Sequence, residues 1–356
     1  MSGLEDSLKR MIRADGPMTL AAYMAACLSD PQHGYYVTRN PIGASGDFVT
    51  APEISQMFGE LVGLSLAQHW LDNGAPAPFT MAELGPGRGT LMADVLRAGR
   101  AVPGFLDAAQ IHLVEVSPTL RGVQAETLRK HAPRWHDSLA TLPDAPLYLV
   151  ANEYFDALPV RQFRRGPAGW AETVVGLESE TLALGLTLPA PLGALDHRLE
   201  DTKPGDIVEL NAPAAAEAEA IAGRIADQGG AALIFDYGDW RALGDTVQAV
   251  RDHQHVDLMD GPGTADVTAH VDFEALAEAA KRAGAMHSRL TSQGVYLERL
   301  GITQRAQALA KALTGDALET HIAAHRRLTH PAEMGTLFKC MSIHAPDTAP
   351  PPGLEP

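Results

Sequence analysis

A glycine-rich turn after a short apolar run is the feature of this sequence best suited to chemistry. The run Phe79–Leu84 predicts a buried strand with Glu83 near its end. The turn residues that follow are Gly85, Pro86, Gly87 and Gly89. A dinucleotide-binding turn instead has the spacing G-x-G-x-x-G and an acidic residue about 20 positions later. Glycines let a ligand approach the backbone closely. The turn therefore favours S-adenosylmethionine, which carries an ammonium group and a ribose but no pyrophosphate.

A second acidic residue strengthens this interpretation. The apolar run Ile111–Val116 predicts another buried strand, and Glu115 lies at its end. A carboxylate there can accept hydrogen bonds from both hydroxyl groups of a ribose. The alternative is that the glycine turn merely joins a strand to a helix. The pairing of Glu83 with Glu115 favours a cofactor site over that alternative.

Strand-like and helical patterns alternate from Phe79 onward, which indicates a parallel sheet with helices on both faces. The predicted fold is α/β, a doubly wound Rossmann-like sheet with a helical N-terminal cover and a β-hairpin insertion. Predicted strands are Phe79–Leu84, Ile111–Val116, Arg134–His136, Leu147–Ala151, Ile207–Leu210, Ala231–Asp236, Met286–Thr291 and Thr336–Ile343. Predicted helices are Leu4–Ile12, Leu20–Leu28, Ser55–Trp70, Asp272–Ala283 and Gln293–Leu313.

The same pattern divides the chain into three parts. Residues 1–75 are predicted to form an N-terminal helical and lid segment. Residues 76–344 form the sheet domain, with the insertion at about 158–205. Residues 345–356 are rich in proline and are predicted to be a disordered tail.

Composition excludes several classes of protein. The 356 residues are 46% hydrophobic and 20% charged, which is ordinary for a globular protein. A formal net charge of −16 argues against a nucleic-acid partner. The two cysteines predict a reducing, cytoplasmic location. The chain has neither a recognisable signal peptide nor an apolar run of membrane-spanning length, so no membrane insertion is expected.

Several motifs, in order, resemble those of the MidA-like methyltransferases, from Tyr23 to Lys339. They read HGYYVTRNPIGASGDFVTAPEISQMFGE, ELGPGRGTL, LVEVSPTLRGVQ, NEYFDALPV, IFDYG, GTADVTAHVDF and MGTLFK. The resemblance implies a class I methyltransferase sheet with S-adenosylmethionine at the carboxyl ends of its strands. Mitochondrial members are complex I assembly factors regarded as protein arginine methyltransferases. A protein substrate, such as a respiratory complex I subunit, is therefore the expected partner.

The segment NEYFD is predicted to face the methyl group. Asn152, Glu153 and Asp156 follow the strand Leu147–Ala151 and emerge at the same sheet edge as the glycine turn. Two carboxylates can hold an arginine guanidinium in plane and leave one nitrogen to attack the methyl group. These three residues are the predicted catalytic group. The alternative is a surface turn before Pro159, since acidic residues are common there.

Further residues are assigned to the cofactor and substrate. Asp137 and Ser138 follow the third strand, where similar enzymes bind adenine, although Asp137 is equally suited to capping the next turn. The irregular segment His33–Glu60 predicts a lid, with Thr50 on the cofactor. Substrate-binding residues are predicted to be Tyr36, Asp47, Glu53, Asp236, Tyr237 and His270.

Alternatives to protein arginine methylation remain open from the sequence. A lid that closes on a metabolite would make the protein a small-molecule methyltransferase. A protein that binds the cofactor without catalysis would act as an assembly chaperone. No metal is predicted, because His253, His255 and Asp257 lack the spacing of a metal site. The oligomeric state and the identity of the methyl acceptor are not encoded in these motifs.

Overall fold

The computed structural model describes residues 3–38 and 49–356. Its helices are α1 (Gly3–Asp15), α2 (Leu20–Ser29), α3 (Tyr35–Thr38), α4 (Ala51–Ile54), α5 (Gln56–Asp72), α6 (Thr90–Gly99), α7 (Phe105–Ala108), α8 (Pro118–Thr127), α9 (Ala212–Gln228), α10 (Phe273–Arg282), α11 (Gln293–Arg299), α12 (Ile302–Ala310), α13 (Gly315–Thr329) and α14 (Met334–Leu337). Short 3-10 turns cover Leu139–Thr141, Phe155–Ala157 and Gly193–Arg198.

The strands follow in chain order. They are β1 (Met18–Thr19), β2 (Phe79–Leu84), β3 (Ala109–Val114), β4 (Arg134–His136), β5 (Leu147–Asn152), β6 (Arg161–Gly166), β7 (Gly169–Glu178), β8 (Thr181–Leu186), β9 (Ile207–Leu210), β10 (Gly230–Asp239), β11 (Gln248–Arg251), β12 (Gln254–Val256), β13 (Asp266–Thr268), β14 (Val271–Asp272), β15 (Met286–His287), β16 (Thr291–Ser292) and β17 (Phe338–His344).

The main sheet has the strand order β15-β17-β10-β5-β2-β3-β4. From β10 to β4 the neighbouring strands run parallel, whereas β17 is antiparallel to β10. The short strands β14 and β16 pair with β10 and β17. The doubly wound α/β fold predicted from the sequence is confirmed, and the carboxyl ends of β2, β3, β5 and β10 meet at one edge.

Helices cover both faces of this sheet because its central strands are apolar on both sides. In β2, Phe79 and Met81 pack in one core with α5 and α6, while Ala82 and Leu84 pack in another with α9 and α10. Successive strand residues point to opposite faces, so a strand buried on both sides reads as a continuous apolar run. This explains why FTMAEL could be recognised as a central strand.

The insertion differs from the prediction. Strands β6, β7 and β8 form an antiparallel meander, which β1 and β9 extend into a separate sheet. The run Ile207–Leu210 was expected in the main sheet but pairs with β6 instead. Its apolar pattern suits either sheet, and only the distant partner strand decides between them. A third core joins α1 and α2 to this second sheet.

Other boundaries shift for local reasons. The side chains of Thr19 and Ser55 cap α2 and α5, so those two helix starts are confirmed. The helix expected over Gln293–Leu313 breaks at Gly301, whose φ is 87°, and becomes α11 and α12. No strand was predicted between β10 and α10, and the small sheet β12-β11-β13 lies there.

The C-terminal residues were predicted to be a disordered tail, and the structure contradicts this. Leu354 is 9% exposed and packs in the larger core. The Ser65 hydroxyl donates to the carbonyl of Pro352 at 2.8 Å, and Arg299 pairs with Glu355 at 2.7 Å. A proline-rich composition indicates that the segment forms neither a helix nor a strand. It does not indicate that Leu354 packs in the core. The other proposed domain boundaries stay predictions.

Candidate functional site

The glycine turn joins β2 to α6 in a backbone conformation that favours glycine. Gly85, Gly87 and Gly89 have φ angles of 56°, 52° and 81°, in the left-handed region where side chains cause strain. The Gly85 N–H donates to the Val114 carbonyl at 3.0 Å, and the Gly89 N–H donates to the Pro86 carbonyl at 2.7 Å. These bonds fix the turn at the carboxyl end of the main sheet.

Glu83 lies at the end of β2 and carries a buried carboxyl group. Its side chain is 3% exposed, and this burial raises its pKa to about 8, against the effect of a hydrogen bond from the Met92 N–H. Its Oε2 atom has no hydrogen-bond partner within residues 3–38 and 49–356. A buried acceptor without a donor is energetically costly. Glu83 is therefore equipped to accept a hydrogen bond from a ligand.

Glu115 follows β3 and is linked to the glycine turn by a residue that the sequence did not single out. Its Oε1 accepts from the Ser117 N–H at 2.7 Å, and its Oε2 accepts from Gln124 Nε2 at 3.2 Å. Gln124 also donates to the Gly87 carbonyl at 2.8 Å. Burial raises the pKa of Glu115, opposed by these hydrogen bonds. Because a carboxylate has about four acceptor positions, ribose hydroxyls can still bind.

Replacing Glu115 with alanine is expected to weaken S-adenosylmethionine binding about 10- to 100-fold, the loss of one hydrogen bond to a charged group. It also removes the acceptor for Ser117 and Gln124, so we expect the free protein to lose about 1–3 kcal/mol of unfolding free energy. Calorimetry and urea unfolding measure the two effects. Glu126→Ala, on the exposed side of α8, is the matched control. Unchanged donor affinity in Glu115→Ala would contradict the assignment.

Asp137 and Ser138 lie after β4, as predicted, but both are exposed. The Asp137 side chain is 86% exposed and pairs with Arg121 at 2.5 Å. Arg121 also donates from Nε to the Glu115 carbonyl at 2.7 Å. Arg121 therefore links Asp137 to the end of β3. The side chain of Asp137 pairs with this arginine and does not cap the next turn, as the alternative had predicted. Adenine binding by this pair stays a prediction.

The NEYFD turn begins with an unusual backbone conformation. Glu153 has a φ of 52°, in the left-handed region that non-glycine residues rarely adopt. Its Oε1 accepts from the Ala51 N–H at 2.9 Å and from Asn152 Nδ2 at 3.1 Å. Burial raises its pKa to about 7, opposed first by the Ala51 bond. Strained residues of this kind cluster at functional sites, which favours the predicted role over an ordinary surface turn.

Asp236, towards the carboxyl end of β10, stabilises the NEYFD turn through hydrogen bonds to its backbone. One carboxylate oxygen accepts from the N–H groups of Tyr154, Phe155 and Asp156 at 3.0–3.2 Å, and the other accepts from the Tyr237 N–H at 3.0 Å. Burial, and then the charge of Glu153, raises its pKa to about 8. Asp236 was predicted to contact the substrate. In the structure both of its carboxylate oxygens instead accept hydrogen bonds from the backbone of the protein.

The charges of Glu153, Asp236 and Asp266 all act on the carboxyl group of Asp156, and we call these four residues the acidic cluster. Asp156 is 7% exposed, and its Oδ1 has no hydrogen-bond partner in the described part of the chain. Burial raises its pKa well above the usual range, and the charges of the other three add to this. Within residues 3–38 and 49–356, no arginine or lysine is in ion-pair contact with Glu153, Asp156 or Asp236; the charge of Arg327 acts on Glu153 from a longer distance. The cluster therefore suits a cationic ligand.

The acidic cluster makes stability depend on pH in a definite direction. Glu153, Asp156 and Asp236 have higher pKa values in the folded than in the unfolded protein, so the folded state binds more protons near neutral pH. Stability is then lost as pH rises through about 7 to 8. We expect the urea midpoint without ligand to fall between pH 6.8 and 8.5. Glu153→Gln should flatten this fall; an equally steep decline would contradict the assignment.

The predicted lid segment reaches the site through α4, which touches both motifs. The Ala51 N–H binds Glu153, and Glu53 Oε1 accepts from the Thr90 hydroxyl at 2.5 Å, in the first turn of α6. Thr50 is the residue before this helix, without a side-chain capping bond. Asp47, a predicted substrate contact, lies outside the described residues. Helix α4 therefore connects the NEYFD turn, through Ala51, with the start of α6 after the glycine turn, through Glu53.

The remaining predicted substrate residues border the acidic cluster. The Tyr36 hydroxyl donates to Asp266 Oδ1 at 2.9 Å. Tyr237 donates its hydroxyl hydrogen to Thr268 and packs edge-on to His270 at 5.1 Å between ring centroids. Burial, followed by the charge of Lys339, lowers the pKa of His270. Asp266 was not predicted, although the quoted motif GTADVTAHVDF contains it.

Within 3–38 and 49–356, no helix has the length and apolar character needed to cross a membrane. The same ranges contain no group of three or more histidine, cysteine or acidic side chains arranged to hold a metal ion.

The stretch that carries the glycine turn, Glu115 and NEYFD matches a known protein family. A family model described as S-adenosyl-L-methionine-dependent methyltransferase matches residues 61–291. The chain belongs to this family. The methyltransferase function and the cofactor inferred from the sequence are therefore confirmed at the level of the family.

Relatives of this methyltransferase extend the match to almost the whole chain. The zebrafish mitochondrial protein arginine methyltransferase NDUFAF7 is 35% identical, over 94% of this chain and 85% of its own length. The human protein of the same name is 34% identical, over 93% and 81%. A crystal structure from Burkholderia thailandensis, with S-adenosylhomocysteine bound, has a TM-score of 0.83 and 30% identity, covering 96% of this chain and 91% of that one.

The predicted cytoplasmic location is wrong on this comparison, because the zebrafish and human relatives are mitochondrial proteins. The physical reason is simple. A low cysteine count distinguishes reducing from oxidising compartments. It does not distinguish one reducing compartment from another.

The polar groups of the methyltransferase site suit S-adenosylmethionine. The buried atoms Glu83 Oε2 and Asn152 Oδ1 lack donors in the described residues, and the cofactor has ammonium and hydroxyl donors. Its sulfonium and ammonium charges also match a site with several carboxyl groups. The residue-by-residue assignments stay predictions, namely Glu83, Gly85, Pro86, Gly87, Gly89, Glu115 and Thr50.

Proposed function

We propose that this methyltransferase transfers a methyl group from S-adenosylmethionine to a guanidinium nitrogen of arginine in an acceptor protein. The observation that carries the proposal is the acidic cluster beside the glycine turn. Asp156 contributes a buried oxygen without a hydrogen-bond partner in the described part of the chain. The names of the zebrafish and human relatives support the same acceptor.

A guanidinium group suits this cluster better than the alternatives do. It is planar, carries five N–H donors and keeps its charge at any physiological pH. Glu153 and Asp156 supply acceptors on neighbouring positions of one turn, and Asp236 fixes that turn through three backbone N–H groups. A neutral metabolite would leave these carboxyls protonated and would not gain the charge-assisted hydrogen bonds that a guanidinium forms with carboxylates.

The chemistry requires little beyond alignment and removal of one proton. Bound S-adenosylmethionine supplies a methyl group already activated by the sulfonium. The proposed role of Glu153 and Asp156 is to hold the guanidinium so that one nitrogen points at that methyl group. A carbon–nitrogen bond forms as the carbon–sulfur bond breaks, and the nitrogen loses a proton. Glu153, with a pKa of about 7, is suited to accept it.

The family resemblance favours a respiratory complex I subunit as the acceptor protein. The net charge of −16 favours an arginine-bearing, basic segment of that subunit by electrostatic attraction. Contacts with the lid and pocket residues Tyr36, Tyr237 and His270 are proposed to position the segment.

The direct test uses the whole chain with radiolabelled S-adenosylmethionine. Candidate complex I subunits are incubated with the enzyme, and each labelled peptide is identified by mass spectrometry. We expect label on arginine, lost when that arginine is changed to lysine, because lysine lacks the planar group. Label on lysine, or only on a small molecule from the extract, would overturn the proposal.

A further inference from the structure

Tyr154 occupies a position that neither the sequence nor the proposed acceptor chemistry explains. A Cβ atom built on Gly85 would lie 2.9 Å from Cδ2 of the Tyr154 ring. The ring is therefore in close contact with the first glycine of the cofactor turn. The negative charge of Glu115, at the end of the neighbouring strand, also acts on the Tyr154 hydroxyl. Tyr154 thus lies near two separate parts of the predicted donor site.

The backbone holds Tyr154 in this orientation. The preceding residue, Glu153, has the left-handed φ of 52°, and its side chain accepts from the Ala51 N–H. The Tyr154 N–H donates to Asp236 Oδ2 at 3.2 Å. Glu153 therefore contacts α4 while Tyr154 contacts the glycine turn. One turn supplies a residue to each side of the site.

A glutamate on helix α9 anchors the far end of the ring. The Tyr154 hydroxyl donates to Glu217 Oε1 at 3.1 Å, and Glu217 Oε2 is buried without a hydrogen-bond partner in residues 3–38 and 49–356. Asn211 fixes the start of α9 against the same loop by donating to the Leu158 carbonyl at 3.0 Å. Helix α9, which carries Glu217, is therefore joined to the loop that carries Tyr154 by both hydrogen bonds.

From these contacts we propose that Tyr154 forms one wall of the S-adenosylmethionine site and that Glu217 is a positioning residue that fixes this wall. The ring fills the space beside Gly85, so the donor is confined to the side of the turn that the ring leaves open. Glu217 acts only through Tyr154, by fixing the ring angle. The inference concerns donor binding and is independent of the proposed arginine acceptor.

The test measures binding of S-adenosylmethionine and S-adenosylhomocysteine by calorimetry in four single variants and one double variant of the full chain. Tyr154→Leu removes the ring and should weaken both ligands at least about 10-fold. Tyr154→Phe keeps the ring, and Glu217→Ala removes its anchor; each should weaken binding about three- to tenfold. Glu219→Gln is the control, on the same helix in a surface pair with Arg282, and should bind like the starting protein.

Two comparisons distinguish a specific effect of Glu217 on the Tyr154 ring from a general loss of structure. Tyr154→Phe combined with Glu217→Ala should lose no more affinity than either change alone, because both break the same contact. In turnover, the KM for the donor should rise while kcat at saturating donor changes less than about twofold. If Tyr154→Leu binds both ligands with unchanged affinity, Tyr154 does not form part of the donor site. Additive losses in the double variant would overturn the role of Glu217.

Discussion

Replacing Gly85 with valine is expected to abolish detectable binding of S-adenosylmethionine, a loss of at least about 100-fold. Valine is strongly strained at the φ of 56° found there. Its Cβ would also lie 2.9 Å from the Tyr154 ring, so the turn or the ring must move. Calorimetry gives the affinity, and circular dichroism reports whether the fold persists.

Gly122→Val is the matched control for this change. Gly122 lies in α8, and a Cβ there would meet no atom within 4 Å. We expect that variant to bind the donor normally. If Gly85→Val instead binds S-adenosylmethionine with unchanged affinity while folded, the donor site is not on this turn.

Glu153→Gln is expected to separate donor binding from methyl transfer. The glutamine keeps an oxygen that accepts from the Ala51 N–H, so the turn and α4 should stay in place. It removes the charge proposed to hold the guanidinium and the group proposed to accept its proton. Single-turnover transfer to protein should fall about 100-fold or more, while the donor dissociation constant changes less than about twofold.

Asp156→Asn should behave in the same way, and Glu178→Gln, at the exposed end of β7, is the control. Parallel measurement of donor affinity and transfer distinguishes the outcomes. Loss of donor affinity together with methyl transfer would place Glu153 in the donor site. Loss of neither would return NEYFD to a surface turn.

The parts of the fold that could be predicted are those with a local physical signal. The apolar run Phe79–Leu84 and the glycines after it determine a strand and a left-handed turn by sterics alone. The pairing of Ile207–Leu210 could not be predicted, because a short apolar strand carries no information about its partner. The docking of Leu354 is likewise a tertiary contact.

The same distinction applies to the candidate site. The acidic strand ends at Glu83, Glu115 and Glu153 were recognised from their positions after apolar runs. Gln124 and Tyr154 were not, because their importance arises from contacts with residues far away in the chain. Polar and aromatic residues within a quoted motif are common, and only the folded arrangement selects among them.

The position of β17 has a consequence for how the chain is made. Seven residues of β10, from Ala231 to Tyr237, pair with β17, which is synthesised long after them. During translation the parallel strands from β10 to β4 can assemble first, leaving one side of β10 as an open edge. Such edges pair readily with other chains. A chain interrupted before Phe338 would therefore expose this edge of β10 to pairing with other chains.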